Sequence, residues 1–192
     1  MIRRALSCGL SAVMLLAGTA TALPAIARNC GQLLPAVAVT DVYFPPWDNA
    51  EQQLMKVIDE ACTQILVQAF LLTSREIAAA LLAAHQRGID VKVLADARQH
   101  AEHPASLLAK LRAAGIPVWL ESRYRNAHNK VIVVDAHSPD PVVVTGSYNF
   151  TWGAQHLNAE NLLIIRGQAA LAERYASNWE RHRVDAAPFG GR

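Results

Sequence analysis

The sequence predicts an α/β fold in which a mixed β-sheet is sandwiched between helices. Strand and helix patterns alternate in the first half of the chain, and a cluster of strand patterns follows. This order is typical of a sheet that helices cover on both faces. The 192 residues, of which 52% are hydrophobic and 18% are charged, fit one globular domain.

Seven segments carry strand patterns that are bounded by prolines, glycines or polar turns. Residues 65–72 form an apolar run interrupted only by Gln68, which is typical of a strand that is buried on both faces. The predicted strands are residues 40–44, 65–72, 90–94, 118–120, 130–134, 142–145 and 161–165.

Four segments carry helical patterns, with apolar residues at helical spacing. Asp48 and Ser74 are in position to cap the first two helices, and Gly88 ends the second. Residues 188–192 are expected to be loose. The predicted helices are residues 48–62, 74–88, 104–114 and 168–182.

Residues 1–27 have the order of parts of a secretory signal peptide. Two positive charges come first, residues 5–27 carry none, and Ala25-Ile26-Ala27 supplies the small residues of a cleavage site. Cleavage after Ala27 would leave residues 28–192 as a single domain in the periplasm or outside the cell. The alternative is an uncleaved anchor, because 23 uncharged residues are long enough to span a bilayer.

Loss of this segment would change the charge and the cysteine content of the chain. Removal of Arg3 and Arg4 lowers the 18 basic residues to 16, which equals the 16 acidic ones. Attraction to nucleic acid or anionic lipid would then require a local patch. Export favours a disulfide between Cys30 and Cys62, but the spacing leaves two separate thiols equally open.

His128 and Lys130 stand at the beginning of a predicted strand. Side chains alternate along a strand, so both point to the same face. Lysine can hold the non-bridging oxygens of a phosphate, and a neutral histidine nitrogen can attack phosphorus. Asp135, at the end of the strand, has the opposite parity and is better placed to fix the backbone or to position Lys130. Taken alone, a His-x-Lys pair is more often a surface strand pair.

Ser147, Asn149 and Glu160 follow the next strand. Ser147 and Asn149 share parity and can donate to the same phosphate oxygens, while Gly146 lets the backbone approach closely. The carboxylate of Glu160 could bond to the distal nitrogen of His128 and fix its tautomer. Each residue alone fits a turn or a solvated carboxylate. Their order at the ends of successive strands, within 33 residues, favours a phosphodiester site.

The segments His128–Asp135 and Gly146–Asn149 together resemble the signature of the phospholipase D superfamily. Thr145–Thr151 and Glu160-Asn161 look most similar to its small bacterial endonuclease branch. The stretch from Asp135 to Gly146 is longer than is usual in the family. We expect it to form an extended hairpin loop that leaves the strands in register and could alter access to the site.

The resemblance implies a two-step displacement, and no metal or cofactor is expected. One histidine attacks the phosphodiester and forms a phosphohistidine, and a second histidine protonates the leaving oxygen and then activates water. Larger members carry two motifs, whereas this chain has one, so a homodimer with a shared active site is implied. No Cys/His/Asp cluster has metal-ligand spacing. The predicted catalytic residues are His128, Lys130, Asp135, Ser147, Asn149 and Glu160.

Arg123, Tyr124 and Arg125 directly precede the catalytic strand and are the predicted substrate-binding residues. Two guanidinium groups around an aromatic ring suit backbone phosphates and an unstacked base, and the alternative is a solvated loop. DNA or RNA, cleaved with little sequence preference, is the leading substrate hypothesis. Phospholipid is the alternative, because the net charge is near zero. A non-catalytic binding protein is disfavoured by the intact motif.

Overall fold

The computed structural model describes residues 38–190. The predicted signal peptide and Cys30 lie outside the described residues, so the cleavage and the Cys30–Cys62 pairing stay predictions; Cys62 itself is disulfide-bonded. The strands are β1 Val39–Tyr43, β2 Gln64–Ala69, β3 Asp90–Asp96, β4 Val118–Glu121, β5 Lys130–Val134, β6 Val142–Gly146, β7 Leu162–Arg166 and β8 Ala187–Pro188. The helices are α1 Ala50–Glu60, α2 Arg75–Gln86, α3 Ala97–Glu102, α4 Leu108–Ala113, α5 Trp152–His156 and α6 Ala169–Asp185.

The described strands form one eight-stranded mixed sheet in the order β1-β7-β6-β5-β2-β3-β4-β8. β2, β3 and β4 run parallel, and helices lie in the connections between them. β5 enters the centre of the sheet antiparallel to β2, and β6, β7 and β1 continue in antiparallel pairs. The predicted α/β fold with a mixed sheet is confirmed.

Helices cover both faces of the sheet, as the sequence predicts. α1, α2 and α4 bury apolar side chains on one face, where Ile65 and Val67 of β2 also lie. α6 packs on the other face against Leu66 and Leu94, and Trp179 of α6 donates from Nε1 to the backbone oxygen of Val67 at 2.8 Å. β2 is predominantly apolar, with Gln68 buried among its apolar residues, because both of its faces are covered.

The helix caps agree with the prediction in one case and differ in the other. Ser74 caps α2, and its hydroxyl accepts from the N–H of Ile77 at 3.1 Å. α1 is capped by Asn49 instead of Asp48. The carboxylate of Asp48 accepts from the N–H of Phe44, so it closes the preceding turn instead.

Three short elements differ from the predicted pattern. Residues 97–102 and 152–156 form helices that were not predicted, and β8 pairs with β4 at the end of the chain. Phe189 packs against the core and donates its N–H to Val118 at 2.8 Å, so the expectation of a loose tail is wrong for residues 188–190. Within residues 38–190, no helix combines the length and the apolar character that crossing a bilayer requires.

The long loop between β5 and β6 forms the predicted hairpin. Pairing is continuous from Val131 with Thr145 to Val134 with Val142, so the strands stay in register. The loop lies at the end of β5 opposite to Lys130. It therefore does not border that residue, and the expectation that it could alter access to the site is wrong.

Candidate active site

The antiparallel entry of β5 brings polar strand ends to one edge of the sheet. β5 and β7 begin at this edge, where β2, β3, β4 and β6 end. Adjacent strands are about 4.8 Å apart, so residues at these ends are near neighbours. Four of the predicted catalytic residues lie here: His128, Lys130, Ser147 and Glu160.

His128 and Lys130 are in direct contact. Nζ of Lys130 lies 2.9 Å from Nδ1 of His128 and donates to the backbone oxygen of His128 at 2.7 Å. Lys130 is only 7% exposed, whereas His128 is open to solvent. The ring of Phe70 packs against both, with its centroid 4.3 Å from the imidazole and 4.7 Å from Nζ. A buried ammonium beside an exposed imidazole is suited to receive an anion from solvent.

Two backbone hydrogen bonds hold the segment that carries His128. The N–H of Ala127 donates to Oδ2 of Asp96 at 2.7 Å, and the N–H of Phe70 donates to the oxygen of Asn129 at 2.8 Å. Asp96 is buried at the end of β3. Neither Asp96 nor Phe70 is among the site residues that the sequence predicts. The available signal for Asp96 was a carboxylate directly after an apolar strand run.

Ser147 is positioned by the close approach of β6 and β7. Gly146 has a φ of +147°, and a Cβ there would lie 2.3 Å from the backbone oxygen of Asn161. The N–H of Asn161 donates to Oγ of Ser147 at 3.0 Å, and the N–H of Ser147 donates back to Asn161 at 3.1 Å. Gly146 therefore allows the close backbone approach that the sequence predicts.

Glu160 contacts Ser147. The expectation that its carboxylate bonds to His128 is wrong within one chain. Its carboxylate accepts from the hydroxyl of Ser147 and, at 2.9 Å, from Nδ2 of Asn158. β6 separates β7 from β5, which keeps Glu160 away from the imidazole. The carboxylate acts on Lys130 instead: burial lowers the pKa of Lys130, and the charge of Glu160 opposes that shift.

Asn149 lies beyond the end of β6, so the alternation that paired it with Ser147 does not hold there. Among the described residues, no side-chain hydrogen bond joins Asn149 to His128 or Lys130, and its Oδ1 is buried without a partner. Tyr148 beside it is fully buried, and this burial raises the pKa of its hydroxyl.

Asp135 lies at the other end of β5, roughly 17 Å along the strand from Lys130. Its carboxylate accepts from the N–H groups of Cys62, Thr63 and Gln64 at 2.7–2.8 Å, and from the Thr63 hydroxyl at 2.7 Å. Its φ is +50°, which aspartate tolerates better than most residues. Asp135 therefore fixes the backbone before β2, as its parity suggests, and lies apart from the other predicted catalytic residues.

Arg123, Tyr124 and Arg125 follow β4 at the same sheet edge, next to the C-terminal part of α6. Arg123 pairs with Asp185, and the ring of Tyr124 lies 5.5 Å from that of His182. Arg123, Tyr124, His182 and Asp185 are among the residues that line an open cleft of about 560 Å³, and Arg125 is not. Since Asp185 partly neutralises Arg123, contact between this segment and the substrate stays a prediction.

The electrostatics of the site favour a neutral imidazole. Partial desolvation of the ring on the side packed against Phe70, and then the charge of Lys130, lower the pKa of His128. A lysine ammonium can only donate, so Nδ1 accepts and the proton of the neutral ring lies on Nε2. For Nε2 to attack, the ring proton must lie on Nδ1 instead. Lys130 must then stop donating to Nδ1 and donate to a bound phosphate.

Lys130 supplies the positive charge beside His128. Across residues 38–190, no group of three or more His, Cys, Asp or Glu side chains is placed to hold a metal ion. Independence from metal stays a prediction for activity measurements.

Comparison with known proteins defines the family. A family model described as the PLD-like domain of cardiolipin synthase matches residues 54–183. A phospholipase D of Rickettsia typhi is 37% identical over 136 residues, which cover 71% of this chain and 64% of the relative. A mitochondrial cardiolipin hydrolase of Xenopus laevis is 32% identical over 138 residues, which cover 72% of this chain and 63% of the relative.

Among solved structures, Nuc from Salmonella typhimurium, a phospholipase D family member, matches with a TM-score of 0.75. It is 32% identical, and the match covers 81% of this chain and 100% of Nuc. The chain belongs to the phospholipase D superfamily, as its motifs indicate. It spans slightly less than two thirds of the length of the curated relatives described above.

Replacement of Asp135 by alanine should destabilise the protein. The N–H groups of residues 62–64 would lose their shared acceptor, so the free energy of unfolding should fall by about 3 kcal/mol. Urea denaturation measures this change. Glu102→Ala is the control, because its carboxylate is 48% exposed in a surface ion pair with Arg98 and should cost less than about 1 kcal/mol. Loss of turnover at unchanged stability would instead make Asp135 catalytic.

The imidazole of His128 should titrate below the ordinary histidine value of about 6.5. Its neutral form is needed for attack, so the rate should fall as the pH drops through that lowered pKa. Lys130→Gln removes a positive charge and should raise the pKa of His128 in an NMR titration. Lys92→Gln, at the opposite edge of the sheet, is the matched control. An unchanged His128 pKa in Lys130→Gln would contradict this assignment.

Proposed function

We propose that this chain is a phosphodiesterase that uses His128 as a covalent nucleophile. The observation that carries the proposal is the 2.9 Å contact between Nζ of Lys130 and Nδ1 of His128 at an open sheet edge. Nε2 forms a bond to phosphorus as the bond to the leaving oxygen breaks, and that oxygen receives a proton. Water then displaces the imidazole, which releases a phosphate monoester.

The neighbouring side chains stabilise the transferred phosphoryl group in this proposal. Lys130 binds non-bridging oxygens, and Ser147 and Asn149 donate to the same oxygens. Before substrate binds, Oδ1 of Asn149 has no hydrogen-bond partner among the described residues, and the hydroxyl of Ser147 donates to Glu160. Glu160 restrains Ser147 and supports the charge of Lys130, and it forms no bond to phosphorus.

The proposed active unit is a homodimer, because the nucleophile cannot also protonate the opposite leaving oxygen. This chain carries one His-x-Lys motif, so the second imidazole would come from a second copy. A two-fold axis between the two copies of His128 achieves this with one isologous interface. In such a pair, Glu160 of one chain could accept the Nδ1 proton of the other, which it does not do within its own chain.

Nucleic acid is the first proposed substrate class, hydrolysed with little sequence preference. Support comes from the likeness of residues 145–151 to the small bacterial endonuclease branch and from the match along all of Nuc. Arg123, Tyr124 and Arg125 are proposed to contact the strand beside the site. The proposed location is the periplasm or the exterior, because residues 1–27 have the order of a signal peptide.

Phospholipid is the second candidate, and the relatives favour it. Proteins that are 31–38% identical over about seven tenths of this chain are named phospholipase D and mitochondrial cardiolipin hydrolase. Both substrate classes present a phosphodiester, so the same chemistry serves either.

Turnover should persist in excess EDTA, because Lys130 supplies the charge that a metal would otherwise provide. Purified residues 28–192 should be offered single-stranded DNA, duplex DNA, RNA and phosphatidylcholine in parallel, with released monoester or head group measured. Cleavage of nucleic acid alone supports the first candidate, and release of choline alone supports the second.

His128→Ala is the control in this panel, and it should lower turnover at least about a thousandfold without loss of stability. The imidazole is exposed, so its removal opens no core cavity. Strict dependence on added Mg²⁺, Ca²⁺ or Zn²⁺, or near-normal turnover by His128→Ala, would overturn the proposed mechanism.

Mixed dimers should reveal whether two chains share the site. Wild-type and His128→Ala chains are co-refolded at varied ratios, and activity is measured per total protein. If both imidazoles are needed, activity should fall as the square of the wild-type fraction. A linear fall, or an active monomer in sedimentation, would show that each chain works alone.

A further inference from the structure

Four large apolar side chains project into solvent beside the candidate active site. Phe44 is 48% exposed and Trp47 85% exposed in the turn after β1, while Trp152 is 56% and Leu157 71% exposed on and after α5. These four residues are called the apolar rim. They are half of the eight exposed large hydrophobic residues within the described part of the chain, so their grouping on two segments is not the usual scatter.

Buried hydrogen bonds hold the two segments of the apolar rim together. Nε2 of Gln155 donates to the backbone oxygen of Asp48 at 3.0 Å, and Oε1 of Gln155 accepts from the N–H of Glu51 at 3.0 Å. Gln155 is 5% exposed, so this link is protected from water. The exposed side chains are therefore carried on a braced surface.

The same two segments border the catalytic residues. The N–H of Glu160 donates to the backbone oxygen of Pro45 at 3.3 Å, and Glu160 accepts from Ser147. The turn that carries Phe44 and Trp47 therefore adjoins the residues proposed to surround the phosphate.

The charge around the apolar rim argues against a polyanion as its partner. Residues 44–55 and 142–165 contain no lysine or arginine, and they contain three carboxylates: Asp48, Glu51 and Glu160. A nucleic-acid backbone is bound chiefly by cations, and anionic lipid likewise requires basic side chains. An uncharged, partly apolar surface fits this composition better.

We infer that the apolar rim docks onto the surface of a zwitterionic phospholipid bilayer. Tryptophan, phenylalanine and leucine are the side chains that insert at the level of lipid head groups, where indole rings are favoured. A bilayer admits protruding side chains without preformed pockets, which suits an 85% exposed indole at a turn. Docking in this way would bring the shared site of the proposed dimer beside the lipid head groups. The inference concerns binding and goes beyond the proposed function, because it holds whichever phosphodiester is cleaved.

The test is flotation with phosphatidylcholine vesicles, with His128→Ala as the background so that no lipid is consumed. The chain should float with the vesicles. Trp47→Ser combined with Leu157→Ser should lower the partition coefficient at least about tenfold, because two inserted apolar side chains are lost. Val184→Ser combined with Val39→Ser is the matched control, since these residues are 71% and 45% exposed and lie outside the apolar rim. The control should float like the parent.

Further measurements keep this result separate from the proposed function. Thermal unfolding of each variant verifies the fold, and hydrolysis of bis(p-nitrophenyl) phosphate with His128 intact reports the chemistry without a membrane. Failure of the parent to float, or equal loss in the control, would overturn the docking inference while the hydrolysis stands. The docking inference would also be overturned if the rim variant still floats but loses affinity for a single-stranded oligonucleotide. It would likewise be overturned if the rim substitutions convert a dimer into a monomer.

Discussion

The antiparallel pairing of β5 with β2 is the constraint on which the candidate site depends. A parallel β5 would place Lys130 at the opposite edge from the ends of β2 and β3. With the observed direction, His128 and Lys130 contact Phe70, which directly follows β2, and Asp96 at the end of β3 holds the N–H of Ala127. The hairpin to β6 then returns the chain to the same edge, where Gly146 and Ser147 complete the arrangement.

Each end of β5 carries a charged side chain with a different physical task. Asp135 is buried and saturated by hydrogen bonds from residues 62–64, so its charge is spent on the backbone. Lys130 is equally buried, yet its ammonium faces an exposed imidazole and an aromatic ring. Burial of a cation is costly unless an anion or dipoles compensate it. Glu160 compensates in part, and a bound phosphate would do so more directly.

Long-range hydrogen bonds hold the loops at this sheet edge in place. α5 and the turn after β1 are joined through Gln155, and the segment before His128 is held by Asp96. These contacts come from residues far apart in the chain. The proposed catalytic groups and the exposed tryptophans therefore belong to one braced surface, which allows substrate chemistry and surface attachment to be tested separately by substitution.

The sequence by itself determined the fold class, most strand positions and the polar residues at strand ends. Hydrophobic periodicity and the motif from His128 to Asp135 report these directly, because they depend on local spacing. It did not determine that Glu160 faces Ser147, that Asp135 holds residues 62–64, or that Phe70 and Asp96 support His128. Those contacts were decided by strand order and direction, which bring together side chains that no local pattern relates. The same cause grouped the exposed aromatic residues: Trp47 and Trp152 are 105 positions apart, and only the tertiary structure makes their segments neighbours.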